Sequence, residues 1–119
     1  RYQLEEFYDC SYLPLQRILP DIETEELGHI EYGYNKTLEL IASGDEGKAR
    51  AQRAVDYWYV RALDMFGRTG SKRSERYRYW GLKRRSNEQA RHDYMNEVDA
   101  ILRQMGVKVP DPHKGRHYM

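Results

Sequence analysis

Apolar residues return at intervals of three and four along most of the chain, the period of helices packed on one side. From Leu15 the positions Leu15, Ile18, Leu19, Ile22, Leu27, Ile30, Tyr34, Leu38 and Ile41 keep this spacing up to Ser43-Gly44. At 1.5 Å per residue that helix would be about 45 Å long. Pro14 suits a first helical position, and Pro20 should kink the helix in the preceding turn. A second helix is predicted from near Asp45 to about Phe66, stopped by Gly67. Residues 68–74 read as a polar loop, and roughly 75–84 as a short basic helix with Tyr77, Trp80 and Leu82 on its apolar side. Ser86-Asn87-Glu88-Gln89 reads as a capping box for a last helix carrying Tyr94, Val98, Ile101, Leu102 and Met105 to Gly106. Arg1 to Tyr8 looks like the tail of a helix, and residues 107–119, with Pro110 and Pro112, read as extended. No strand-like alternation of useful length is present. The expected fold is all-α, a helical unit over 1–106 followed by a tail over 107–119.

With 119 residues, 39% hydrophobic and 33% charged, the chain suits one small domain with a thin core. Its one cysteine, Cys10, excludes a disulfide framework and a Cys-based zinc site. It suits a reducing, cytoplasmic compartment, with a buried structural thiol as the default. No apolar run nears the roughly 18 residues of a membrane helix, and no signal peptide is present. The chain opens at Arg1 in mid-pattern and reads as the C-terminal piece of something longer.

The net charge of +1 conceals a segregation. Residues 1–67 carry 13 acids and 7 bases, a balance of −6, whereas residues 68–91 carry 9 bases and 2 acids, a balance of +7. The basic stretch is the candidate anion-binding face and the acidic front half the place for a cation.

Within that front half, Glu26-Leu27-Gly28-His29 sets a carboxylate and an imidazole at i and i+3, on one helix face. Ile22, Ile30 and Gly33 share or flank their stripe, so the pair should point towards a core. A buried carboxylate and imidazole need partners, and a metal ion would supply one. The bland alternative is a solvated surface pair. Leu15, Ile18, Ile22, Ile30 and Leu38, with Trp58 and Leu63, need a partner surface that the chain lacks. His92 reads as a surface histidine, and His113 and His117 sit in the tail, where they could bind metal adventitiously.

Cys10-Ser11-Tyr12, Glu25-Glu26-Leu27-Gly28-His29, Met65-Phe66-Gly67, Trp80-Gly81-Leu82-Lys83-Arg84-Arg85-Ser86-Asn87, Val109-Pro110-Asp111-Pro112 and Gly115-Arg116-His117-Tyr118 follow one another in this order. In that order they resemble the second half of the catalytic A subunits of the phenylacetyl-CoA epoxidase family. The resemblance covers essentially the whole chain. It implies the C-terminal half of a ferritin-like bundle with a di-iron centre that activates oxygen and epoxidises the aromatic ring of an aryl-acyl-CoA. It implies that Glu26 and His29 are the second Glu-x-x-His of the centre, catalytic and metal-ligating, and that the remaining iron ligands lie upstream of Arg1. It further implies two partners, a flavin/iron–sulfur reductase and a non-catalytic ferritin-like subunit. The missing N-terminal half, or another chain, would complete the bundle. In that setting Lys83 and Arg84 rank first for the phosphates of coenzyme A, with Arg73 and Arg76 behind. A solvated basic face is the alternative, and nucleic acid and membrane are not expected. The competing reading of the whole is a structural or acidic-ligand-binding ferritin-like subunit without metal.

Overall fold

Five helices run through residues 1–118, which the computed structural model describes: α1 (Tyr2–Glu5), α2 (Leu13–Ala42), α3 (Asp45–Asp64), α4 (Lys72–Tyr79) and α5 (Asn87–Gln104). No strand occurs among the described residues, and the chain is all-α as its periodicity predicts. Such an arrangement is in keeping with a helical ferritin-like bundle.

Local chemistry sets most of the boundaries. Pro14 stands in the first turn of α2, and Pro20 lies inside a helix that continues without a break to Ala42. Gly44, at φ 130°, makes the reversal into α3. Gly47 then lies so close to α2 that a Cβ would run into the Leu40 carbonyl oxygen and Ser43 Oγ. The Ser86 hydroxyl accepts from the Gln89 N–H at 3.2 Å and opens α5 as its capping pattern predicts. The short basic helix sits earlier than the sequence reading placed it. Ser71 is the cap, its Oγ accepting from the Ser74 N–H at 3.3 Å, so residues 72–74 are helical rather than loop. It ends before Gly81, at φ 72°, where the N–H groups of Leu82 and Lys83 both donate to the Tyr77 carbonyl.

Tyr59, Val60, Leu63, Leu102 and Val107 form the buried core, at the seam of α3, α5 and the tail. Leu63 is therefore no part of an unmet stripe: it is wholly buried, because α5 and the tail cover its side of α3. The tail leaves α5 extended and then turns at 112–115. Gln52 brackets Lys108, accepting from its N–H at 2.9 Å and donating to its carbonyl at 3.0 Å. Asp64 accepts from Arg116 Nε at 2.7 Å and from the backbone N–H groups of His117 and Tyr118.

The molecule is a plate. Its radius of gyration is 16.2 Å and its dimensions are 50 × 31 × 18 Å. A compact domain of this length would have a radius near 13.5 Å, on the order of 2.2·N^0.38. Large apolar side chains are left uncovered: Ile18, Leu27, Ile30 and Tyr34 on α2, Trp58 on α3 and Met65 just after it are exposed.

Candidate metal centre

Thirty residues of unbroken helix in α2 place Ile22, Glu26, His29, Ile30 and Gly33 within an arc of about 100°. Glu26 and His29 do meet: His29 Nδ1 lies 3.4 Å from Glu26 Oε1. Both share the arc of Ile30, but neither is buried, the side chains being 43% and 74% exposed respectively. Both side chains are thus open to solvent, where the stripe predicts a core-facing pair. Among the described residues no three His, Cys, Asp or Glu side chains gather as a metal site. The donor set offered is one carboxylate and one imidazole. It fits an iron ligand pair in kind, and it is incomplete in number.

The basic segment divides into structural and free cations. Arg85 is buried and is the hub of the molecule. Its Nε and backbone N–H both donate to the buried Glu6 carboxylate, and its other nitrogens reach Asp93 at 2.8 Å and Glu5 at 3.5 Å. Arg91 is also buried, donating to the Gly67 carbonyl at 2.6 Å and to Thr69 Oγ1 at 3.1 Å. Lys83, ranked first for phosphate, is drawn inward and donates to Ser74 Oγ and Asn87 Oδ1. Burial lowers its pKa, which the Glu6 charge only partly offsets. Arg73, Arg76 and Arg84 remain exposed, on and just beyond α4. Of the four expected coenzyme A residues, three are therefore available to solvent. Cys10 is buried, as expected of a structural thiol, with its sulfur accepting from the Tyr12 N–H at 3.3 Å.

With that geometry in hand, comparison with known proteins is decisive for kinship. A profile of the family described as "Phenylacetic acid catabolic protein" matches residues 1–118. The chain belongs to the phenylacetic acid catabolic protein family. A curated relative is the A subunit of 1,2-phenylacetyl-CoA epoxidase from Escherichia coli (strain K12), 30% identical over 104 residues. The match covers 86% of this chain and 34% of that protein, so the chain spans about a third of the relative's length. Membership agrees with the ordered motifs, which are spread from Cys10 to Tyr118.

Sequence reasoning within this family missed the Glu6–Arg85 hub and the Asp64 clamp. Arg85 sits in a run of three bases and looks like its neighbours. The opposite charge balances of residues 1–67 and 68–91 were the available signal for pairing across the chain. No helix among the described residues is long and apolar enough to cross a membrane.

Proposed function

We propose that this chain is the part of a di-iron monooxygenase that presents Glu26 and His29 to iron, in an enzyme epoxidising the aromatic ring of an aryl-acyl-CoA such as phenylacetyl-CoA. The observation that carries the reading is the contact of Glu26 with His29 on a solvent-exposed turn of α2, in a chain of this family. A carboxylate and an imidazole one helical turn apart are what a helix of a ferritin-like bundle offers to such a centre. Held there, iron supplies the activation of O2, with electrons drawn from a flavin/iron–sulfur reductase.

This chain's own residues would do the following. Glu26 offers an oxygen to iron. His29 turns Nδ1 to Glu26, leaving Nε2, which has no partner among the described residues, as its ligating nitrogen. Arg84, Arg73 and Arg76 attract the phosphates of coenzyme A by charge. The remaining ligands and the cover of the α2 face come from outside these residues, from the N-terminal part of a longer polypeptide or from another chain. A non-catalytic ferritin-like subunit is a further partner, and the assembly works in the cytoplasm.

The second reading is a ferritin-like structural or acidic-ligand-binding subunit without metal, in which Glu26 and His29 are a solvated surface pair, in keeping with their exposure. Metal analysis of the complete protein separates the two. On the first reading Glu26→Ala and His29→Ala each strip the iron while helical content stays, because neither side chain holds the fold together. On the second, neither substitution changes the metal content.

A further inference from the structure

Of the six lysines, Lys36, Lys48, Lys72, Lys108 and Lys114 are exposed, and Lys83 alone is half-buried. It stands in the connection from α4 to α5 and clasps the two, its Nζ donating to Ser74 Oγ at 3.1 Å and to Asn87 Oδ1. Two cavities reach it, one of about 290 Å³ walled by Phe7, Phe66 and Tyr77, and one of about 190 Å³ beside Gly81 and Arg84. We propose that Lys83 is a self-acylation site, whose amine takes the acyl group of a thioester without a second enzyme.

A lysine nucleophile has to lose its proton and keep its lone pair free. The neighbouring guanidiniums stay charged, so among these cations the amine is the group that gives way. Burial lowers its pKa and the Arg78 charge adds to this, while Glu6 and Glu75 act the other way without cancelling it. Glu6 is already spent on Arg85, and Glu75 on Arg78. The neutral amine retains two N–H groups, enough for the bonds to Ser74 and Asn87, and its lone pair is left over for a ligand. In the reaction the nitrogen bonds to the thioester carbonyl carbon, the carbon–sulfur bond breaks, and the proton lost by the nitrogen leaves with the sulfur as a thiol. The apolar wall of the larger cavity suits the hydrocarbon part of an acyl group. Arg84, exposed on the rim of the smaller one, supplies charge for a phosphate-bearing carrier such as coenzyme A. The amide that results has a single N–H, so one of the two bonds from Lys83 to α4 and α5 is lost on acylation.

The test incubates the complete protein with acetyl-CoA at mildly alkaline pH and follows every lysine by peptide mass spectrometry. Lys83 should be acetylated at least about tenfold faster than any of the five exposed lysines, which serve as internal controls. Asn87→Asp sets a carboxylate against the amine and favours its charged form, so it should slow Lys83 alone, at least about fivefold. The ranking in the unaltered protein needs no variant and decides the matter should Asn87→Asp melt early. Lys83 reacting no faster than the exposed lysines overturns the assignment. So does a Lys83 rate that is unchanged in a folded Asn87→Asp protein. The assay involves no metal, so its outcome is separate from that of the iron measurements.

Discussion

Arg85 shows how much a single side chain carries here. It closes the loop after α4 onto the N-terminal segment by neutralising Glu6, which is itself buried. Removing one member of such a pair leaves the other charged in a poorly solvated place, at a cost of about 3–5 kcal/mol. Arg85→Ala should lose stability on that scale in urea titrations. Arg85→Lys should recover little of it, because an ammonium cannot reach Glu6, Glu5 and Asp93 together. Asp64 is the second such residue. Burial pushes its carboxyl up, but the His117 and Tyr118 N–H groups and the Arg116 guanidinium outweigh burial and hold it below its ordinary 3.8. A depressed folded-state pKa adds stability that is full above the unfolded value and disappears as pH falls through the folded one. Stability of the unaltered chain should therefore drop on acidification below the ordinary carboxylate range. Asp64→Asn should start about 1–3 kcal/mol lower at neutral pH and fall less, as followed by urea midpoints over a pH series. Neither role was legible in the sequence, where each residue has an unremarkable polar neighbourhood and its partner lies 79 or 52 positions away.

The elements were far more legible, for a physical reason that α2 and α3 illustrate. Their apolar spacing runs for many turns, and Pro14, Gly44 and Gly67 punctuate it where backbone geometry demands. The short α4 is the exception. Eight residues give too little periodicity to fix its ends, and its start depends on one side-chain bond from Ser71. The α2–α3 turn makes a sharper prediction. Gly47→Ala drives a methyl group into the Leu40 carbonyl, backbone that cannot swing aside, so α3 must lift from α2. The expected loss is on the order of 2 kcal/mol or more, an overpacking cost. Thermal melting of Gly47→Ala beside Ala49→Gly, an exposed control on the same helix, would check it.

Seen whole, the molecule has more surface than its mass explains. A monomer of 14.3 kDa would expose about 6,800 Å² by the usual scaling, whereas this chain exposes 8,490 Å². The excess, roughly 1,700 Å², is about twice what one partner contributes to an ordinary stable interface. Together with the exposed row of Leu27, Ile30, Tyr34 and Leu38 on α2, it predicts that these 119 residues expressed alone self-associate. Sedimentation should show dimers or larger species, and a monodisperse monomer with a cooperative melt would contradict the half-bundle reading. The site shares this incompleteness. Glu26 and His29 could be picked out from spacing and motif order, yet among the described residues no third donor joins them. The most direct measurement is therefore iron per polypeptide in the complete protein after anaerobic reconstitution, with Glu26→Ala and His29→Ala alongside. Near two equivalents in the unaltered protein and a clear loss in both variants is the predicted result; no iron in the unaltered protein, or the same iron in all three, would contradict the assignment.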